Sequence, residues 1–90
     1  MARILIVDDD NSIRNTLRNI LEFEKYQIEE ACDGFECLIK IKRSEYEAIL
    51  LDIKMPKMDG METLERIQKL KPDIPVIMIS GHGTIDTAVD

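Results

Sequence analysis

Ile4-Leu5-Ile6-Val7, followed at once by Asp8-Asp9-Asp10, is the stretch that decides the fold of this 90-residue chain. An uninterrupted apolar run rich in β-branched residues is typical of a strand buried on both faces of a parallel sheet. The pattern returns twice, because Ala48-Ile49-Leu50-Leu51 stops at Asp52 and Val76-Ile77-Met78-Ile79 stops at Ser80. Each run therefore predicts a buried strand that ends at a polar side chain.

Stretches with helical periodicity separate these strands. Their apolar residues recur three or four positions apart, which predicts amphipathic helices that each bury one face. The polar run 27–31 predicts an edge strand, and residues 84–90 predict the start of a fourth helix capped by Thr84. This alternation implies right-handed crossovers and a parallel α/β sheet covered on both faces. The predicted apolar stripes are Ile13, Leu17, Ile20 and Leu21; Phe35, Leu38, Ile39 and Ile41; and Met61, Leu64, Ile67 and Leu70.

Composition restricts the classes of function. The chain has 12 Lys and Arg against 18 Asp and Glu, and a formal net charge of −6 would repel the phosphates of nucleic acids. No apolar run approaches the roughly 18 residues of a membrane span, and Asp8 comes too early for a signal peptide. We expect a single cytoplasmic domain without nucleic-acid or membrane contacts. Cys32 and Cys37, with His82 distant in sequence, predict reduced thiols rather than a zinc site.

Three aspartates follow the first and third predicted strands. The carboxyl ends of parallel strands share one edge of a sheet, so Asp8, Asp9 and Asp52 should lie close together, with Ser80 one strand further on. Two carboxylates ~4 Å apart repel by roughly 4 kcal/mol at an effective dielectric constant of 20. Either one aspartate is protonated, or a hard dication neutralises the group, for which Mg²⁺ fits better than Ca²⁺. Three acids that simply face solvent are the remaining alternative.

The most specific motif follows the third strand. Leu50-Leu51-Asp52-Ile53-Lys54-Met55-Pro56-Lys57-Met58-Asp59-Gly60, taken with the first strand and its aspartates, resembles the receiver domain of bacterial two-component response regulators. Val76-Ile77-Met78-Ile79-Ser80-Gly81-His82 matches the fourth strand of that family and its hydroxyl-bearing end. The run from Ser80 to Val89 is most similar to receivers of the nitrogen-regulation type, which precede a sigma-54-activating ATPase.

The resemblance implies a flavodoxin-like doubly wound sheet of strand order 2-1-3-4. It implies that Asp52 accepts a phosphoryl group and that Ser80 contacts that group. Asp9, Asp52 and the backbone carbonyl of Lys54 would bind Mg²⁺ directly, and Asp8 would act through a water molecule. Residues 1–90 would then form an incomplete receiver domain that lacks most of helix 4, strand 5 and helix 5.

The resemblance also predicts how the loop after Asp52 is built. Pro56 and Gly60 would shape this loop. The methionines Met55, Met58 and Met61 are predicted to pack within it rather than to bind a cofactor.

The partners implied by the family are a sensor histidine kinase, as phosphoryl donor, and a downstream output domain, here a sigma-54 ATPase with DNA binding. Two other functions are open. A Mg²⁺-dependent phosphohydrolase with an aspartyl-phosphate intermediate would place a second aspartate two residues after the nucleophile, where this chain has Lys54. An interaction module with a receiver-like fold would leave the acidic pocket without an ion, and a measurement of Mg²⁺ binding separates it from a receiver.

The fourth strand carries a prediction about association. In the family a fifth strand pairs with the fourth, and without it Val76-Ile77-Met78-Ile79 would be an open edge. This segment is apolar, uncharged and β-prone, and lacks the lysines that protect natural sheet edges. We therefore expect the chain to self-associate, or to exchange elements between copies, through this edge.

Overall fold

The strands and helices alternate along the chain. The computed structural model describes residues 2–79 and 85–87. Strand–helix alternation is confirmed up to the fourth strand. The elements are β1 (Arg3–Val7), α1 (Asn11–Phe23), β2 (Gln27–Ala31), α2 (Gly34–Arg43), β3 (Ala48–Asp52), α3 (Gly60–Leu70), β4 (Val76–Ile79) and β5 (Ile85–Thr87).

The sheet has the strand order β2-β1-β3-β4-β5, and its first four strands are parallel. The predicted order 2-1-3-4 is therefore confirmed. Val7 lies beside Ala31 on one side and Leu51 on the other, while Asp52 lies beside Ile79. In this register β1, β3 and β4 end at the same edge of the sheet, which brings the residues that follow them together.

β5 corrects two predictions. A helix is predicted for residues 84–90, but Ile85–Thr87 form a strand antiparallel to β4, with Ile79 opposite Ile85. Backbone pairing with β4 satisfies groups that would otherwise face solvent, and Ile85 and Thr87 are β-branched residues that favour strands. The prediction of an open β4 edge is wrong for the same reason, and self-association through that edge loses its basis.

The core consists of two layers on opposite faces of the sheet. α2 and α3 cover one face, and α1 covers the other, where Leu17 and Leu21 pack on the strands. The residues buried beneath α2 and α3 include Leu5, Val7, Ile49, Leu51 and Met78 from the strands and Cys37, Ile41, Leu64 and Ile67 from the helices; those beneath α1 are Ile4, Ile6 and Ile28.

The predicted apolar stripes are wider than the faces that the helices bury. Ile20 on α1, Phe35 and Ile39 on α2, and Met61 and Leu70 on α3 are all exposed. A helix that lies on one sheet contacts it through a narrow arc, so residues at the margin of the stripe stay in solvent. Among the described residues, none of the helices is both long and apolar enough to cross a membrane.

Candidate functional site

Three aspartates meet at the carboxyl edge of the sheet. Asp8, Asp9 and Asp52 each offer a carboxylate oxygen, and these oxygens all lie within 4.8 Å of one another. Asp8 and Asp52 are only 3% and 6% exposed, whereas Asp9 is exposed. The predicted clustering is thus confirmed, and the pocket opens to solvent at Asp9.

The backbone after β1 explains why two of its three aspartates face the pocket. The Asp8 amide donates to the carbonyl of Ala31 (3.1 Å), and the Asp10 amide donates back to the Asp8 carboxylate (2.8 Å). Asp10 caps α1, because its carboxylate accepts hydrogen bonds from the amides of Ser12 and Ile13. The Asp10 carboxylate is therefore hydrogen-bonded to the start of α1 and does not belong to the pocket.

Asp52 is held at the start of a closed loop. The Ile53 amide donates to the carbonyl of Ile79 (3.0 Å), and the Lys54 amide donates to the Asp52 carboxylate (3.3 Å). The Gly60 amide donates to the carbonyl of Ile53 (2.8 Å), which joins the two ends of the loop. Lys54 is thus fixed to the aspartate cluster through its backbone, and the role of its carbonyl remains a prediction.

The loop is anchored in the core by methionines. Met55 and Met58 are buried, which agrees with the predicted packing, but Met61 is exposed, so that part of the prediction is wrong. Gly34, the first residue of α2, is so close to Met58 and Thr63 that a Cβ there would clash with the Thr63 hydroxyl. This contact ties the loop to the start of α2.

Burial and the repulsion of neighbouring carboxylates raise the pKa values of Asp8 and Asp52. Burial is the main cause for Asp52, and the charge of Asp8 adds to it, so that the pKa of Asp52 rises to about 6. Burial also raises the pKa of Asp8, although the hydrogen bond from the Asp10 amide opposes this. The folded chain therefore holds negative charge in this pocket at a cost in free energy.

A small dication would relieve this repulsion. The donor set consists of carboxylate oxygens, which are the ligands that hard cations such as Mg²⁺ prefer. Mg²⁺ needs only one or two protein carboxylates and keeps several water molecules, and the open side at Asp9 leaves room for them. The residues therefore fit a Mg²⁺ ion.

Sequence reasoning missed one residue next to the cluster. Arg14 of α1 donates through Nη1 to the backbone carbonyl of Asp8 (2.6 Å) and through Nε to the Glu30 carboxylate (2.8 Å). Arg14 and Arg18 lie four positions apart on α1, which indicates a basic stripe, but no local pattern points to Glu30. Ser80 and His82 lie outside the described residues, so their predicted positions stay untested.

Comparison with known proteins gives the family. A family model for the response regulator receiver domain matches residues 4–90. The response regulator MprA of Mycobacterium sp. (strain KMS) is 36% identical over 88 residues, which are 98% of this chain and 38% of MprA. The chain thus spans 38% of the length of this curated relative.

Solved structures agree with this match. A receiver domain protein (CheY-like) from Methanospirillum hungatei JF-1 has a TM-score of 0.88 and 44% identity, over 93% of this chain and 67% of the other. TrrA from Thermotoga maritima, solved in complex with Mg²⁺-BeF, has a TM-score of 0.86 and 39% identity, over 91% and 73%. TrrA in complex with the histidine kinase ThkA has a TM-score of 0.87 and 38% identity, over 93% and 72%.

The narrower prediction of a nitrogen-regulation type with a sigma-54 output domain receives no support, because the curated relative is an MprA response regulator. The family itself does not depend on that subtype. Its motif, its sheet order and its aspartate cluster coincide in one chain, and the family model matches nearly the whole of it. This chain belongs to the response regulator receiver domain family.

Proposed function

We propose that the pocket of Asp8, Asp9 and Asp52 binds Mg²⁺ and that Asp52 accepts a phosphoryl group from a phosphohistidine of a sensor histidine kinase. The observation that carries this proposal is the approach of the three carboxylates to within 4.8 Å of one another at the end of β1 and β3. Such a group is unfavourable unless a cation or a proton neutralises it.

Asp9 and Asp52, with the backbone carbonyl of Lys54, would hold the ion directly, and Asp8 would act through water. When bound, Mg²⁺ would neutralise charge on the pocket and on the transferring phosphoryl group. It would also lower the pKa of Asp52 from its raised value of about 6, which keeps the nucleophile ionised at neutral pH.

The transfer itself would be carried by Asp52. A carboxylate oxygen of Asp52 attacks the phosphorus, a P–O bond forms, and the P–N bond to the kinase histidine breaks. The imidazole of the kinase leaves with the bonding electron pair and takes up a proton from solvent. Ser80 would donate a hydrogen bond to a phosphoryl oxygen of the acyl phosphate.

The solved relatives support these partners by analogy. TrrA is described in complex with Mg²⁺-BeF and also in complex with the histidine kinase ThkA. In a longer response regulator, phosphorylation of this receiver would control an output domain that regulates transcription. The MprA relative gives no support for an output domain of the sigma-54 type.

Labelling with acetyl phosphate in the presence of Mg²⁺ tests the proposal. The wild-type chain should gain one acyl phosphate, detected as a mass increase that hydroxylamine removes, and Asp52→Asn should gain none. Asp59→Asn is the matched control, because it changes a carboxylate of the same loop and asparagine can still cap α3. Equal labelling of Asp52→Asn would overturn the assignment of Asp52.

Two measurements separate the other two functions from that of a receiver. An ion-free pocket, seen as no change in backbone amide NMR shifts on addition of MgCl₂, would favour the interaction module. Rapid turnover of acetyl phosphate without accumulation of the acyl phosphate would favour the phosphohydrolase. Lys54 is exposed at the position where that enzyme class places its second aspartate, which is why we favour the receiver.

A further inference from the structure

A guanidinium joins the acidic pocket to the rest of the fold. Arg14 donates from three different nitrogens: Nη1 to the carbonyl of Asp8 (2.6 Å), Nε to Glu30 (2.8 Å) and Nη2 to Asn11 (3.0 Å). Only 14% of its side chain is exposed. A planar group held by three partners in different elements has little freedom to move.

Glu30 fixes this arginine from the neighbouring strand. One carboxylate oxygen of Glu30 accepts from Arg14 and the other accepts from Nε of Arg18 (2.6 Å). The backbone carbonyl of Glu30 also accepts from Lys40 of α2 (2.5 Å). Glu30 is therefore held by side chains from both faces of the sheet. Arg14 links Glu30 to the backbone of Asp8, which precedes Asp9.

We propose that Arg14 is a positioning residue for the acidic pocket: it holds the Asp8 backbone against Glu30, so that Asp8 and Asp9 present their carboxylates to a divalent cation. This inference rests on the proposed function, since it assumes that the pocket binds Mg²⁺. Groups that orient metal ligands from behind typically change metal affinity by about 10- to 100-fold when they are removed.

If Arg14 positions the pocket, its replacement should weaken Mg²⁺ binding, whereas an effect of its charge alone would strengthen it. A guanidinium beside the pocket repels a dication, so removal of its charge alone would strengthen Mg²⁺ binding. Loss of positioning would weaken binding, because Asp8 and Asp9 would no longer be held in one arrangement. The direction of the change in affinity therefore distinguishes the two roles.

The chain contains a matched control for this experiment. Arg18 lies on the same helix, shares Glu30 and carries the same charge, but its other partners are Glu22 and the carbonyl of Ile28. It makes no hydrogen bond to Asp8 within the part of the chain that the structure describes. Arg14→Met and Arg18→Met each remove one positive charge beside Glu30, but only Arg14→Met removes the hydrogen bond to the Asp8 carbonyl.

MgCl₂ titrations of the 90-residue chain, followed by backbone amide NMR shifts, test the inference, with urea unfolding of each variant as the measure of stability. Arg14→Met should lose about tenfold or more in Mg²⁺ affinity. Arg18→Met should keep the wild-type affinity within about twofold, even though both variants lose stability. Unchanged or tighter binding by Arg14→Met, or an equal loss in Arg18→Met, would overturn the proposal.

Arg14→Lys covers the case in which Arg14→Met does not fold. Lysine keeps the charge, but one ammonium cannot replace three separated nitrogens, so we expect an affinity clearly below that of the wild type. Wild-type affinity in Arg14→Lys would show that charge rather than hydrogen-bond geometry matters, and would overturn the inference. If the wild-type chain itself does not bind Mg²⁺, the proposed function fails; if only the arginine variants disagree, the failure is confined to Arg14.

Discussion

The amide of Gly60 donates a 2.8 Å hydrogen bond to the carbonyl oxygen of Ile53, and this contact closes the loop that begins at Asp52. The two backbones are so close that a Cβ on Gly60 would clash with the carbonyl oxygen of Asp52 and the Cα of Ile53. Backbone atoms cannot move aside as the end of a flexible side chain can. The glycine is therefore required by space between two segments of main chain.

Gly60→Ala should destabilise the fold by about 2 kcal/mol or more, because overpacking against rigid atoms typically costs 1–3 kcal/mol. Urea unfolding followed by circular dichroism measures the change. Glu65→Ala, at an exposed position of the same helix, should change the free energy of unfolding by about 0.5 kcal/mol or less. Equal stability of the two variants would contradict the close packing at Gly60.

Asp9 and Asp10 are adjacent but should differ in their effect on Mg²⁺ binding. Asp9 belongs to the carboxylate cluster, whereas the Asp10 carboxylate caps α1. We expect Asp9→Asn to weaken Mg²⁺ binding by at least about tenfold, in line with the loss of a charged ligand. Asp10→Asn removes the same charge but retains a good helix cap, so it should change the affinity by a few-fold at most. Isothermal titration with MgCl₂ measures both, and equal losses would mean that the pocket is misassigned.

The sheet and the aspartates at its edge could be predicted from the sequence, because both follow from local patterns. The apolar runs before Asp8 and Asp52 predict buried parallel strands, and the geometry of such sheets brings the two carboxylates together. Pairs that join distant parts of the chain leave no such pattern. Arg14 and Glu30 are 16 residues apart, and their bond depends on α1 lying over β2 at one particular position.

The last described strand shows a second reason why sequence patterns mispredict structure. The residues of β5 read as the first turn of a helix in sequence, yet they pair with β4 in the structure. The free edge of β4 offers hydrogen-bond partners that local propensity does not take into account. Likewise Ile20, on a predicted apolar stripe, is 56% exposed because α1 contacts the sheet through a narrower arc.

The two cysteines should differ in reactivity. Cys37 is fully buried on α2, and burial raises the pKa of its thiol to about 12, so it should be inert in the folded chain. Cys32 is exposed, although its hydrogen bond with Glu36 and, to a smaller extent, desolvation raise the pKa of its thiol as well. Iodoacetamide at pH 8 should therefore modify one thiol slowly in the native chain and two in urea, as counted by mass spectrometry. Cys32→Ser should remove the native reaction, and rapid modification of Cys37 would contradict its place in the core.

The raised pKa of Asp52 should make stability depend on pH when no metal is present. Below pH 3.8, the ordinary value, Asp52 is protonated in both the folded and the unfolded chain. As the pH rises, the unfolded chain ionises first, and the free energy of unfolding falls until the folded pKa of about 6 is passed. The rise from 3.8 to about 6 corresponds to at most roughly 3 kcal/mol.

Urea unfolding in EDTA between pH 3.5 and about pH 7.5, compared between the wild type and Asp52→Asn, isolates this effect. The comparison is needed because other groups titrate as well: burial raises the pKa of Asp8, whereas for Glu30 the hydrogen bonds from Arg14 and Arg18 outweigh burial and lower the pKa. Asp52→Asn should therefore gain stability relative to the wild type as the pH rises from about 4 to about 6, and keep that gain above pH 6. Saturating MgCl₂ at pH 7.5 should restore stability to the wild type far more than to Asp52→Asn, since ligand binding to the folded state stabilises it by mass action. A constant difference between wild type and Asp52→Asn across this range would show that Asp52 titrates normally, and that the carboxylates do not repel one another as their positions require.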